Sequence, residues 1–338
     1  MPGPRDRPHD RFFKETFSDE ARAAAELVSI LPQPVVELFD WATLRLEPGI
    51  LENRKEDDRY SDLLFSVQRA DVEACVLVFV LFEHQSTDDA LMPLRMLRYM
   101  LRIWDAWLRK TKISAPPLPP ILPVVLAHDE RGWRSARHFH ELFAGDPGTQ
   151  AILRRFVPSF EIAVDDLSKI TDEEIAARAL DPATALALWA LRDGRSPQAV
   201  LEHVRFFAAY FASLEPVSSG LQDSDRVIGY LGEAAGERSV DVEVLVAKII
   251  AHAPTAHKVV MNSVDRLREE GRQQGREEGR QQGRAEALRH VLVEQLREKF
   301  EGVEDADVAR VEQADEAALE RYLKRIVTAD SIDAVFGE

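Results

Sequence analysis

The chain has 338 residues, of which 45% are hydrophobic and 30% charged, the balance of an ordinary globular protein with room for two domains or one core and an extension. A net charge of −16 argues against broad electrostatic capture of nucleic acid, although a local groove can still be basic and carboxylates that hold metal ions add negative charge. The lone Cys75 excludes a disulfide framework and a cysteine-based zinc site; with no apolar run of membrane-spanning length and no apolar signal core near the start, a cytoplasmic protein is expected.

After a Pro-rich lead, Asp10 to Ile30 has helical spacing, with Phe13, Phe17, Ala21, Ala24 and Val28 recurring at three and four, and Pro32 and Pro34 close it. "WATLRLEPGIL" reads as a first strand ended by Pro48-Gly49. "RYSDLLFSVQR" and "EACVLVFVLFEHQ" read as two more, turning near Asp71. Asp89 to Lys110 returns to the helical period, its apolar stripe read as Leu91, Leu94, Leu97, Leu101, Trp104 and Leu108. A proline-punctuated connection leads to strand candidates "ILPVVLAHD" and "FEIAVDDL", where Asp166 is expected to cap the next element. The order of elements predicts an α/β (α+β) fold with a mixed central sheet flanked by helices. Expected boundaries are a core at 1–165, a helical region packed on it at 166–260, a Gly/Arg-repeat helix or linker at 261–290, and a helical tail at 291–338.

The run "VLVFVLFEHQS" ends a strand in a carboxylate, an imidazole and an amide rather than in a turn residue. Residues two apart share a strand face, so Glu83 and Gln85 point one way and His84 the other. If the two preceding strands form an antiparallel hairpin, Asp62 at the start of one lies beside Glu83 at the end of the other. Two adjacent carboxylates stay ionised together only with a cation between them. Hard oxygen ligands at this density favour Mg²⁺, which leaves coordination positions for water and phosphate. The plain alternative is that both are solvated strand-end acids.

The ordered set "PHDRFFKETFSD", "YSDLLFSV", "VFVLFEHQS", "MPLRMLRYMLRIWDAWL", "LPPILPVVLAHDERGW", "FVPSFEIAVDDLSKITDEE" and "LKRIVTADSIDAVF" resembles the recombination-promoting nuclease / YhgA-like putative transposase family (Rpn), within the PD-(D/E)XK nuclease superfamily. The resemblance covers nearly the whole chain. It implies a restriction-endonuclease-like core of helix, three antiparallel strands, helix and further strand, and metal-dependent hydrolysis of DNA phosphodiester bonds, linked to recombination or mobile elements. It places the motif aspartate on Asp62 and the metal-binding acid on Glu83. Asp62, Glu83 and the backbone carbonyl of His84 would hold Mg²⁺, with Mn²⁺ or Ca²⁺ as alternatives and no small-molecule cofactor. Gln85 stands where the superfamily has lysine; an amide can orient water but carries no positive charge. Lys14 is the candidate substitute, with Asp10 one turn before it on the same helix face. The rival reading is a nuclease-fold scaffold or DNA-associated protein with impaired catalysis, which the missing lysine and the acidic balance favour. No separate motif for strand transfer is present.

Other residues carry duller expectations. His9 either touches phosphate or caps the first helix. Arg95, Arg98 and Arg102 either contact phosphate or form a solvated face. Tyr99 and His128 are weaker candidates for the cleft, and Trp133 is expected to pack. Gly271, Gly275, Gly279 and Gly283 recur every four residues, each costing about 1 kcal/mol in a helix interior relative to alanine. They read either as a face for close approach of a second copy, giving a homodimer through the C-terminal helices, or as a soft spacer.

Overall fold

The computed structural model describes residues 8–47, 62–70, 77–85, 89–112, 118–129, 131–215, 217 and 219–337. Cys75, Asp71 and the Pro48-Gly49 turn lie outside the described residues. The chain forms two compact units, one ending at Val264 and one beginning at Asp265. Among the described residues no helix is long and apolar enough to cross a membrane.

The first unit begins with α1 (Pro8–Phe17), α2 (Glu20–Ile30) and the single turn α3 (Gln33–Val36). The expected unbroken helix over Asp10 to Ile30 is therefore two. Asp19 ends the first, and its side chain accepts from the backbone N–H groups of Ala21 and Arg22 at 3.0 and 3.1 Å, capping the second. The apolar period runs on across the break, so periodicity conceals what a local side-chain cap decides.

Strands β1 (Phe39–Leu46), β2 (Asp62–Arg69) and β3 (Leu77–Gln85) form an antiparallel meander. Helix α4 (Met92–Thr111) then crosses over to β4 (Ile121–Ala127), parallel to β3, and β5 (Ala163–Asp166) lies parallel to β4. The sheet order is β1-β2-β3-β4-β5. Pro123 is tolerated inside β4 because β5 pairs only from Val124 onward. Between β4 and β5 lies the short α5 (Pro147–Leu153).

Both faces of the central strands are covered. On one, Phe82 meets Phe13 and Phe17 of α1 with ring centroids 5.1 and 5.3 Å apart. On the other, Leu64, Val125 and Ala127 pack with Met92, Met96, Tyr99, Met100 and Ile103 of α4. That buried stripe is not the expected leucine stripe: Leu91 and Leu101 are 57% and 52% exposed. Methionine, unbranched and adaptable, fills the irregular gap over the sheet; of the expected stripe, Trp104 packs against this layer.

Helices α6 (Asp172–Ala177), α7 (Pro182–Asp193), α8 (Pro197–Leu214), α9 (Gly220–Glu233) and α10 (Val242–His252) complete the first unit. Helix α7 is apolar all round and buried accordingly, with Trp189 stacked on Phe207 at 5.0 Å. It stops at Gly194, where a Cβ would come within 2.6 Å of the Ala190 carbonyl and 2.9 Å of the Tyr230 ring. Helix α9 docks on α1 and α2: Phe12 stacks on Tyr230 at 4.2 Å, and Arg22 makes a two-pronged pair with Asp223 at 2.8 and 2.7 Å.

Helix α11 (His257–Lys299) runs from the first unit into the second. The glycine repeat is part of this continuous helix, and a Cβ at Gly271, Gly275, Gly279 or Gly283 would meet nothing within 4 Å. In the second unit its last turns carry Leu292 and Leu296 against α12 (Asp305–Gln313), α13 (Glu316–Arg325) and α14 (Ile332–Phe336), around Val311, Leu319, Ile326 and Phe336.

Candidate active site

Asp62 opens β2 while Glu83 and Gln85 close β3, so the antiparallel pairing brings them to one end of the sheet. The register sets Asp62 directly opposite Glu83. Opposed positions in such a ladder carry Cβ atoms about 4.5–5.5 Å apart on a common face. Across the parallel pairing, Glu83 aligns with Val125 and Gln85 with Ala127, so this face is the one that α4 covers. His84 aligns with Leu126 and falls on the alternate face.

Asp10 and Lys14 lie one turn apart on α1, which packs on the opposite face of the sheet, the Phe82 face. Lys14 is exposed there. Sheet topology therefore joins Asp62, Glu83 and Gln85 on one face and does not add the α1 pair to it. The N-terminal turn of α1 does lie at the same sheet end: the His9 and His128 rings are 5.1 Å apart, and His128 directly follows Ala127 of β4. His9 is the second residue of α1. Its Nδ1 is 2.7 Å from the Tyr230 hydroxyl, an oxygen kept protonated by its burial, which pushes the phenol above its usual range.

Three further side chains take other roles than expected. Arg95 is buried and ion-paired with Asp89 at 2.8 Å, so it is not a phosphate contact, whereas Arg98 and Arg102 are exposed. Tyr99 is buried in the apolar layer beneath α4. Asp166 makes no capping bond; it accepts from the Trp133 backbone N–H at 2.9 Å and pairs with Lys169 at 2.6 Å. Burial works against that charge, yet Lys169 and Ser168 hold the carboxyl below its usual range.

Sequence reasoning missed two charge clusters. Glu26 of α2, Asp165 of β5 and Arg178 after α6 form a buried trio: Arg178 donates to Glu26 at 2.8 Å and to both Asp165 oxygens at 2.9 and 2.7 Å. Asp172, Asp193 and His203 bring ligand atoms within 4.8 Å of one another, the spacing of a cation site. Arg192 already fills that role, donating to both aspartates, and His203 Nδ1 lies 2.8 Å from Asp193. No local pattern announces either cluster, because the partners come from separate elements.

Residues 7–215 match the family described as "Putative transposase, YhgA-like". The chain is 31% identical over 125 residues to Recombination-promoting nuclease RpnD of Escherichia coli O157:H7, covering 37% of this chain and 46% of that protein. It is 31% identical over 121 residues to Recombination-promoting nuclease RpnA of Escherichia coli K12 (36% and 40%). It is also 32% identical over 124 residues to a K12 protein named Inactive recombination-promoting nuclease-like protein RpnE (36% and 40%). The chain thus spans less than half the length of these relatives. No solved structure matches.

Proposed function

The chain belongs to the Rpn/YhgA-like putative transposase family, and from that membership we propose that it is a divalent-metal-dependent DNA endonuclease of the PD-(D/E)XK type, acting in recombination or on mobile elements. The observation that carries this reading is the Asp62–Glu83 register. Two acids enforced opposite each other at a sheet end repel, and a hard cation relieves that repulsion. The element order in the first unit, helices, antiparallel meander, crossover helix and parallel strand, is the arrangement expected of a restriction-endonuclease-like core.

In this reading Asp62, Glu83 and the His84 backbone carbonyl hold Mg²⁺, an oxygen donor set of the kind that ion takes. Bound there, the metal supplies Lewis acidity toward the phosphoryl oxygen and a lowered pKa for its water. Gln85 orients the attacking water through its amide; Asp10, in the first turn of α1, is left an outer contact at that sheet end, and Lys14, exposed on the far side of the sheet, does not replace the motif lysine. DNA is the substrate and the chain works in the cytoplasm. A second copy associates through α11, whose glycine positions have open space around them.

One observation favours a second reading, a nuclease fold without cutting activity: Gln85 removes the positive charge of the motif lysine, and RpnE is named as inactive. Incubating the purified chain with plasmid, with Mg²⁺ or with chelator, separates the two. Metal-dependent nicking that disappears in Asp62→Ala supports the nuclease; no cutting under any divalent ion supports the scaffold.

A further inference from the structure

Helix α4 carries five basic residues and one acidic one, "MPLRMLRYMLRIWDAWLRKT", in a chain of net charge −16. Arg95 is buried and paired with Asp89, and Lys110 lies 4.0 Å from Glu47. The remaining three, Arg98, Arg102 and Arg109, are exposed, and none makes an ion pair among the described residues.

They are also aligned. At 100° per residue, Arg102 lies about 40° and Arg109 about 20° round the helix from Arg98, so all three fall on one narrow stripe. Eleven residues at 1.5 Å rise span about 16 Å, the length of about five nucleotides on one strand of a duplex. Asp105 falls on the same stripe and dilutes it. The stripe lies on the outer side of the helix that covers the Asp62–Glu83 face, and α4 begins at Met92, just after β3 ends at Gln85. Because α4 crosses from the end of β3 back to the start of the parallel β4, the Arg98 end of the stripe is the one nearer the sheet end where Asp62 is paired with Glu83.

We propose that Arg98, Arg102 and Arg109 form a track for the phosphate backbone of duplex nucleic acid, holding it by charge, without reading its sequence, along the helix that leads away from the site. This rests on the nuclease reading above and names the surface by which that site receives its substrate. An acidic protein needs such a surface: long-range attraction is unfavourable, so affinity must come from a local stripe where counterions are released.

The test is anisotropy of a short labelled duplex on the full chain carrying Asp62→Ala, so that binding is read without cutting, titrated between about 50 and 200 mM salt. Each phosphate contact contributes about 0.9 to the slope of log affinity against log salt. Arg98→Gln/Arg102→Gln/Arg109→Gln is expected to lower that slope by about 2 to 3. The parent's loss of affinity over the fourfold salt change is then up to about 40-fold greater than the variant's. The corresponding triple lysine variant keeps the slope, and Asp105→Lys raises it by about 1. An unchanged slope in the glutamine variant, with its unfolding temperature also unchanged, overturns the track and leaves the nuclease reading standing. Loss of self-association instead of DNA binding overturns it in favour of an acidic protein partner. Failure of the parent chain to bind duplex at any salt overturns the track and the nuclease reading together.

Discussion

Replacing Glu26 by glutamine is expected to make the first unit more stable, and increasingly so as pH rises. Glu26 is fully buried and shares Arg178 with Asp165, so two carboxylates face one guanidinium. Burial, and then the Asp165 charge, push the Glu26 carboxyl up to about 8, against about 4.3 in an unfolded chain. In that window the folded state keeps a proton that the unfolded state has released. The contribution is therefore present in full below about pH 4 and lost as pH rises toward 8. At about 1.4 kcal/mol per unit, the wild type loses about 3 kcal/mol from this group between pH 5 and 7. Glutamine keeps the shape and can still accept from Arg178, but does not titrate. The two proteins should match at pH 5 within about 1 kcal/mol and differ by about 3 kcal/mol at pH 7 in favour of the variant. Urea unfolding followed by tryptophan fluorescence reads the first unit selectively, because Trp41, Trp104, Trp107, Trp133 and Trp189 all lie in it. A stability difference that does not change with pH, or a variant weaker than wild type at pH 8, refutes the assignment of the proton to Glu26.

Arg22→Met removes one side of the buried pair with Asp223, leaving that carboxylate with Arg226 at 2.9 Å and Ser219 at 2.9 Å. The expected loss is about 3 kcal/mol in the same urea experiment, mostly recovered when Asp223→Leu is added; a loss below about 1 kcal/mol contradicts it. Tyr230→Phe keeps the stacking on Phe12 and removes only the hydroxyl partner of His9, which is expected to cost about 1 kcal/mol. Changing Gly271, Gly275, Gly279 and Gly283 together to alanine meets no steric obstacle within the chain, so circular dichroism should show higher helicity and a gain of about 3 to 4 kcal/mol in helix stability. Sedimentation should show the loss of any dimer that uses the glycine face, and a dimer kept in that variant removes those glycines from the contact.

The strand end was legible because its signal is local. Apolar residues on both faces of "VLVFVLF" mark a central strand, and polar residues at its end mark an opening. The hairpin then fixes the partner: with Asp62 at one end and Glu83 at the other, the register follows from the pairing of Leu64 with Leu81 and Phe65 with Val80. The illegible features came from distance or from competition between similar residues. His9 is held by Tyr230, 221 positions away, and Arg178 by Glu26, 152 positions away; no periodicity carries such information. The inward face of α4 was misassigned because its apolar residues go almost all the way round, and the fit of methionines to the sheet rather than their hydrophobicity decides which side is buried. The break at Asp19 was hidden because a cap competes with the helix ladder at a single position.

Two acidic positions holding one divalent ion for DNA hydrolysis are the centre of the proposed function, and plasmid nicking measures that most directly. The full chain should convert supercoiled DNA with Mg²⁺ and not with chelator, and Asp62→Ala and Glu83→Ala should each lose more than about 100-fold in rate while keeping the wild-type unfolding curve. Folded variants that nick at the wild-type rate, or wild-type nicking that persists in chelator, would contradict it.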